Sequence, residues 1–319
     1  MFIMKILKST LAILMVLLMV ISLAACGGKE PAPDKGDNTA VTEKTEKVEG
    51  FKETKIELDA CTINVLGCEK IKDYDEKPAI RVWFDVTNTS EETCYTNYNY
   101  EFTATQDGYE LTETSADYEM RVDAADTGSL EIRPGVTIRT CEEYNFKEDG
   151  GDITIGFNNY YSEEEPVTIN FDPKNFPGAP KEEFVIEKVA DPQWVKDLKA
   201  EGVYDVYDVK YDIKIEKCEF VEDYDGNKLI RVYYDFKNNS EEAESFSSNI
   251  THGAFQDGIE LPISYPKEKV AEDENYTVEV EPGKSIKLAY SYKLRTDSPV
   301  EIDLRDFNGT GVGTVYEVK

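Results

Sequence analysis

Two stretches of the chain alternate strictly between apolar side chains and a second series of residues. They are IRVWFDV at 80–86 and IRVYYDF at 230–236. A period of two over seven residues predicts a β-strand with one buried face and one exposed face. The flanking sequences, DYDEKP and DYDGN before the strands and NTSEE and NNSEE after them, are rich in residues that form turns. Each stretch is therefore predicted to be a half-buried strand between two turns.

The two strands belong to an internal repeat. Residues 72–92 and 222–242 are identical at eleven of 21 positions, with a constant offset of 150. The tripeptide QDG, which predicts a hairpin turn, and a later Pro-Gly pair recur in each copy. Both copies contain short strands, frequent turns and hardly any helical period. The pattern predicts an all-β chain with two tandem antiparallel Ig-like β-sandwich domains.

Between the copies the strand pattern stops. The Pro/Gly-rich sequence PKNFPGAP predicts a linker, and Asp191 with Pro192 favours a short helix that ends before Gly202. The predicted organisation is a signal peptide at 1–25, a disordered tether at 26–50, a first sandwich at 51–172, a linker at 173–203 and a second sandwich at 204–319.

The N-terminus has the pattern of a secretion signal. Lys5 and Lys8 precede the uncharged apolar run LAILMVLLMVISLAA, and a flexible polar sequence follows it. The run ends in Leu-Ala-Ala before Cys26, which resembles the lipobox of bacterial lipoproteins. The resemblance implies cleavage before Cys26 and a diacylglycerol on its sulfur, and a second acyl chain would make the anchoring stable. The alternatives are an ordinary cleaved signal and an uncleaved membrane anchor.

The second copy also resembles a known family. DYDGNKLIRVYYDFKNNSEE, AFQDGIEL and EPGKSIKLAYSYKL are similar to the Ig-like domain of bacterial lipoproteins called domain of unknown function 5067. The first copy is less similar, since Thr105 stands where the second copy has Phe255. The resemblance implies a fold and a surface location, and it brings no established activity or functional residue.

The charge of the chain narrows the class of partner. A formal net charge of −30 argues against nucleic acid and against an anionic lipid surface. Membrane attachment is therefore expected through the lipid anchor, on the extracytoplasmic face. The excess of Lys over Arg and the lack of Asp after Cys26 favour a single-membrane bacterium.

Five cysteines remain once Cys26 carries lipid, so at least one is expected to stay free or to pair between chains. Cys68 and Cys218 occupy the same repeat position and are expected to pack in the core. Cys94 and Cys141 have no counterpart in the second copy. We therefore predict a Cys94–Cys141 disulfide that is special to the first domain.

Catalytic and metal-binding patterns are missing from the sequence. The one histidine, His252, has no nucleophile or orienting acid at a recognisable spacing. DYDGN resembles half of a calcium loop, but the position of the bidentate glutamate is Tyr234, on the predicted buried face, so the motif predicts a turn. No zinc spacing or nucleotide fingerprint occurs. We expect neither enzymatic activity nor a cofactor or metal.

The residues that alternate with the buried apolar ones in the strands at 80–86 and 230–236 provide the candidate site. Trp83 and Tyr233, next to Arg81 and Arg231, are expected to point outward, where they would stack on sugars or dock a protein. The alternative is a cross-strand ladder that stiffens the sheet, or a face that another segment covers.

The sequence thus predicts a lipid-anchored surface protein without catalytic activity. Its partner would be a cell-wall component, a peptide or another surface protein. The alternatives are a structural spacer or envelope-stress component, and an accessory domain of a cell-wall enzyme, since β-sandwiches serve many roles.

Overall fold

The computed structural model describes residues 52–191, 193–206, 209–306 and 309–318. The predicted signal peptide, the tether and the lipidation site Cys26 lie outside the described residues. The strands of the first repeat are β1 (Thr54–Glu57), β2 (Cys61–Lys72), β3 (Pro78–Asn88), β4 (Cys94–Tyr95), β5 (Glu101–Gln106), β6 (Tyr109–Glu110), β7 (Glu131–Ile132), β8 (Thr137–Asn145), β9 (Ile153–Asn158) and β10 (Val167–Phe171). Those of the second are β11 (Glu201–Val206), β12 (Val209–Glu222), β13 (Lys228–Asn238), β14 (Thr251–Gln256), β15 (Ile259–Glu260), β16 (Ser285–Lys293), β17 (Val300–Asp306) and β18 (Gly309–Tyr316).

Helices are short throughout the described residues. They are α1 (Gln193–Lys196) and α2 (Phe246–Asn249), with 3₁₀ helices at Thr96–Tyr98, Tyr118–Met120, Asp123–Asp126 and Ala271–Thr277. Helix α1 lies in the predicted linker and buries Val195. The prediction of an all-β chain is confirmed.

Each repeat folds as an antiparallel β-sandwich. In the first repeat, one sheet has the strand order β1-β2-β3-β8 and the facing sheet has the order β10-β9-β5-β6. In the second repeat the corresponding sheet is β11-β12-β13-β16, and it faces β18-β17-β14-β15. Strands β8 and β16 are therefore the edge strands of matching sheets.

The alternating apolar residues fill the two cores, as their period of two requires. Phe84 packs against Phe157 with ring centroids 5.4 Å apart in the first core. Phe236 packs against Phe246 at 5.7 Å in the second. The register also repeats, because Cys68 pairs with Val82 and Cys218 pairs with Val232. The duplicated sequence therefore specifies the same pairing twice.

Turn chemistry fixes the ends of the strands. In the QDG turn after β14, Asp257 and Gly258 both have positive φ, at 52° and 78°, as a two-residue hairpin of the primed type requires. In the DYDGN turn, one carboxylate oxygen of Asp223 accepts hydrogen bonds from the backbone N–H of Asp225 and Asn227, at 2.9 and 2.8 Å. The predicted hairpin and the predicted turn are both present.

The repeats are joined by a shared sheet. Strand β7 of the first repeat pairs with β15 of the second through Ile132 and Ile259. The resulting six-stranded sheet has the order β18-β17-β14-β15-β7-β4. The backbones approach closely there, since a Cβ on Gly258 would lie 2.6 Å from Val136 Cγ2.

Charged side chains are buried at this joint between the repeats. Arg133, which is 1% exposed, forms ion pairs with Glu301 and with Asp303. Its guanidinium lies 4.8 Å from the ring centroid of Trp194 in α1. Arg305 forms an ion pair with Glu131 across the same joint. The linker helix thus packs against the residues that connect the repeats.

Candidate binding pocket

A long connection in each repeat leaves the core and covers the outer face of a sheet. We call it the crossover segment, residues 111–130 in the first repeat and 261–280 in the second. In the second repeat it pairs with the edge strand β16 at Ile263 and Tyr292, and then with the β12–β13 turn at Asp223 and Pro266. Its 3₁₀ helix Ala271–Thr277 lies against β16.

A buried arginine holds the crossover segment of the second repeat on the sheet. Arg231, which is 2% exposed, forms an ion pair with Asp273 at 3.2 Å and donates to the carbonyl oxygen of Glu268. Arg231 Nη1 forms an ion pair with Glu219 of β12 at 2.8 Å. Because a buried charge is costly unless it is paired, these contacts fix the segment in place.

The first repeat uses the matching arginine in the same way. Arg81 donates to the carbonyl oxygen of Met120 at 2.6 Å and forms an ion pair with Glu143 of β8, also at 2.6 Å. Glu143 in turn accepts from the backbone N–H of Ala116 at 2.6 Å. The two arginines are therefore positioning residues for the crossover segments.

The expectation that Trp83 and Tyr233 form an exposed aromatic surface is wrong. Trp83 is 9% exposed and Tyr233 is 7% exposed, because the crossover segments cover the face on which they lie. Trp83 Nε1 donates to Glu69 at 3.0 Å, and the Tyr233 hydroxyl donates to Glu219 at 2.6 Å. The alternative, a covered face, is what the structure has.

The predicted Cys94–Cys141 disulfide is also wrong, since both residues are free thiols. Cys141 lies on β8 opposite Trp83, under the crossover segment. Cys94 lies on β4 in the shared sheet, where its sulfur accepts a hydrogen bond from Asn99 Nδ2 at 3.0 Å. The two cysteines therefore belong to different sheets.

The crossover segment of the second repeat encloses a pocket against the edge of β16. We call this 240 Å³ pocket the tyrosine pocket. Its principal lining residues are His252, Tyr265, Tyr276, Ala289, Tyr290 and Ser291. Such a volume lies below the range of about 300–1,000 Å³ that is usual for drug-sized ligands, so the pocket suits a single side chain or ring.

Three aromatic rings in tilted contact form one wall of the tyrosine pocket. Tyr290 lies between His252, with centroids 3.8 Å apart, and Tyr276, at 5.1 Å. His252 Nδ1 is 2.6 Å from the hydroxyl oxygen of Tyr292. Burial lowers the pKa of His252 to about 4, so the imidazole is neutral at physiological pH. The wall is aromatic and uncharged.

One polar group in the lining lacks a partner. Ser291 Oγ is buried and forms no hydrogen bond with any described residue. Leaving a buried hydroxyl without a partner costs about 1–3 kcal/mol, and most such groups in proteins are satisfied.

The first repeat has a pocket at the matching place, with different chemistry. Its volume is 190 Å³, and Cys141, Glu142 and Glu143 occupy the β8 positions that match Ala289, Tyr290 and Ser291. Burial, with Glu113 and Glu143 nearby, raises the pKa of Glu142 to about 7. The same framework thus carries acidic side chains in one repeat and aromatic ones in the other.

Sequence reasoning expected the candidate site on residues that the structure buries, and not at the tyrosine pocket. It chose the covered aromatics and missed Tyr265, Tyr276 and Tyr290. A signal for them was present, because Tyr290 replaces Glu142 at a matched position of the repeat. The position of the crossover segment, which makes that difference important, was not predicted.

Other kinds of site are not found in the part of the chain that the structure describes. No group of three or more His, Cys, Asp or Glu side chains there is arranged to hold a metal ion. Among the same residues, none of the helices combines the length and the apolar composition that crossing a membrane requires.

Comparison with known proteins identifies a family. The model of the family described as domain of unknown function (DUF5067) matches residues 37–159 and 204–306. No curated protein matches the chain.

Two solved structures are similar to part of the chain. One is a candidate lipoprotein from Staphylococcus aureus, 16% identical with a TM-score of 0.30, covering 37% of this chain and 93% of that chain. The other is a candidate lipoprotein from Bacillus subtilis, 15% identical with a TM-score of 0.30, covering 39% of this chain and 40% of that chain.

Proposed function

Because this chain belongs to the DUF5067 family across both of its repeats, we propose that it is a surface protein that binds a partner without catalysing a reaction. The proposed binding site is the tyrosine pocket of the second repeat. A lipid on Cys26 would hold the chain on the outer face of the cell membrane, in a single-membrane bacterium, as the lipobox sequence favours.

The tyrosine pocket supports this proposal through its aromatic lining. The rings of Tyr276 and Tyr290 lie with centroids 5.1 Å apart, beside the neutral imidazole of His252. Ligand pockets are usually lined by apolar and aromatic side chains with a small number of polar groups. His252 is held neutral and bonded to Tyr292, so it serves the wall of the pocket better than it would serve acid–base chemistry.

Fragment screening by saturation-transfer NMR tests the proposal. The full chain is screened against phenol, indole and N-acetylglucosamine. We expect a saturable signal from at least one fragment, which Tyr265→Ala weakens by about fivefold, since an aromatic contact contributes about 1 kcal/mol. Tyr265 is 69% exposed, so its loss should leave the fold intact.

The control is Tyr118→Ala, which removes an exposed tyrosine from the crossover segment of the first repeat. It should bind the fragments like the unaltered chain. Absence of saturable binding, or equal binding by both variants, would contradict a function for the tyrosine pocket.

A structural spacer is a second candidate, favoured by the sheet that both repeats share. The pairing of Ile132 with Ile259 and the buried ion pairs of Arg133 join the repeats tightly. A spacer needs such a joint and needs no pocket. A cell whose chain carries Tyr265→Ala and keeps a normal envelope, while deletion of the chain disturbs it, would favour this candidate.

A further inference from the structure

Exposed apolar side chains surround the mouth of the tyrosine pocket. Ile263 is 53% exposed, Tyr265 is 69% exposed, and Tyr224 in the adjacent β12–β13 turn is 71% exposed. The turn and the crossover segment are adjacent, because Asp223 pairs with Pro266. We call Tyr224, Ile263 and Tyr265 the apolar rim. An apolar rim around an aromatic pocket is the usual form of a docking site for a protein segment.

Folding does not require these exposed residues to be apolar. At the positions that match Ile263 and Tyr265, the first repeat has Glu113 and Ser115, both exposed on the same framework. The edge pairing is the same in both repeats, since Glu113 pairs with Tyr144 as Ile263 pairs with Tyr292. The stability of the sandwich therefore does not account for the apolar character of the rim.

Charge selects among possible partners. The chain as a whole has a formal net charge of −30. In the 3₁₀ helix beside the pocket, Asp273 is paired with Arg231 and Glu274 with Lys269, while Glu272 adds a further negative charge. A potential of this sign repels anionic polymers and attracts cationic segments at low ionic strength. The partner that complements this surface carries positive charge.

We propose that the apolar rim and the tyrosine pocket bind a basic peptide segment of a partner protein, with one aromatic side chain seated in the pocket. The proposal rests on the proposed function and adds the class of ligand. The 240 Å³ pocket has room for one ring, which would pack against the ring cluster of His252, Tyr290 and Tyr276. The lysine or arginine side chains on either side would be attracted by the negative potential of the chain.

A glycan is the less suitable ligand. Recognition of a sugar depends on several polar groups that are free to bond, because each hydroxyl removed from water needs a partner. In the lining, Asp273 is already paired with Arg231, and the backbone N–H of Ser264 already donates to the carbonyl oxygen of Ser291. Glycan binding is therefore one of the outcomes that the test separates.

Fluorescence anisotropy with designed peptides tests the proposal on the full chain in detergent micelles. The probe is a fluorescein-labelled heptapeptide with a central tyrosine between glycines and two lysines at each end. We expect saturable binding that becomes at least about tenfold weaker when the central tyrosine is replaced by alanine, or when glutamate replaces the four lysines.

The protein variants use residues that the first repeat already carries. Ile263→Glu with Tyr265→Ser places the side chains of Glu113 and Ser115 at the matched positions of the second repeat, so the fold should tolerate them. This double variant should lose at least about tenfold in affinity. Tyr118→Ala should bind the lysine–tyrosine peptide like the unaltered chain.

Three results would overturn the inference. They are no saturable binding of the lysine–tyrosine peptide, equal binding of the alanine peptide, and undiminished binding by the double variant. If neutral fragments or N-acetylglucosamine bind at Tyr265 while the peptide does not, the proposed function stands and the peptide class is wrong. If neither the fragments nor the peptide bind, the proposed function and the peptide inference are both contradicted.

Discussion

The two cores differ in polarity at the repeat position that His252 occupies in the second copy. The first repeat has Phe102 there, which stacks on Tyr144 with ring centroids 5.5 Å apart. The second has His252, whose Nδ1 is bonded to the hydroxyl of Tyr292. The Tyr292 hydroxyl is also 3.4 Å from that of Tyr234, so a short polar chain crosses an otherwise apolar core. Such a chain is favourable only while the imidazole stays neutral.

This histidine should make stability depend on pH. Its folded pKa, about 4, lies below the value of about 6.5 for an unfolded histidine. The unfolded chain therefore binds more protons between these values, and stability falls as the pH drops from about 6.5 to 4. In the His252→Phe variant, the free energy of unfolding should fall by up to about 3 kcal/mol less than in the unaltered chain as the pH drops. Urea denaturation at pH 7.5 and at pH 4.5 measures the difference between the two proteins.

The comparison between proteins is necessary because carboxylates titrate in the same range. The control is Phe102→Leu, an apolar change at the matched position of the first repeat, which should destabilise the chain equally at both pH values. An identical pH dependence in the His252→Phe variant and the unaltered chain would contradict the assignment.

At the scale of the element, an asparagine holds the turn that follows β13. Asn238 is fully buried, and its Nδ2 donates to the carbonyl oxygens of Glu242 and Val280, both at 2.7 Å. Its Oδ1 accepts from the backbone N–H of Ser240 at 2.8 Å. Asn88 makes the matching bonds in the first repeat, to Glu92 and Ile132 among others. The recurrent Asn-x-Ser sequence is thus a buried connection between a turn and a distant segment.

Removal of this side chain should be costly. Asn238→Ala removes three hydrogen bonds, two to the carbonyl oxygens of Glu242 and Val280 and one from the backbone N–H of Ser240, and each contributes about 0.5–1.5 kcal/mol. We expect the free energy of unfolding to fall by about 2–4 kcal/mol, measured by urea denaturation. Asn239→Ala, at the exposed neighbouring residue, should change it by less than about 0.5 kcal/mol. Equal effects of the two substitutions would show that the turn does not depend on Asn238.

At the scale of the whole molecule, the repeats meet through buried charges. Glu260 of β15 accepts a hydrogen bond from the backbone N–H of Glu131 at 3.0 Å, across the joint. Asp303 and Arg305 lie on the neighbouring strand β17, and Arg305 is paired with Glu131. Burial, together with Glu131 and Asp303, raises the pKa of Glu260 to about 7, although Arg305 opposes the shift. The joint therefore holds a carboxylate that is costly to ionise.

Neutralising Glu260 should stabilise the molecule at alkaline pH. The folded pKa lies above the unfolded value of about 4.3, so the stability contributed by the protonated form is lost as the pH rises through about 7. Glu260→Gln keeps an acceptor for Glu131 and should raise the free energy of unfolding by about 1–3 kcal/mol at pH 8. Thermal unfolding at pH 8 and pH 5 measures this change.

The matched control is Glu110→Gln, at the exposed position of the first repeat that corresponds to Glu260. It should leave the melting temperature unchanged at both pH values. A gain from Glu260→Gln that is the same at pH 5 and at pH 8 would contradict the role of ionisation.

The strands, the turns and the duplication can all be predicted from the order of the amino acids. These are local properties, since a period of two, a QDG hairpin and an Asp223 turn depend on neighbouring residues and their own backbone. Family membership likewise follows from the residues that the repeats share.

Which faces are covered, and where a pocket forms, depends instead on contacts between distant parts of the chain. Arg231 meets Asp273 across 42 positions of the chain, and Glu131 meets Glu260 across 129. Alternation places Trp83 and Tyr233 on the outer face of a sheet, but it carries no information about a crossover segment that folds back over that face. The tyrosine pocket exists only because that segment and the edge of β16 enclose the same space.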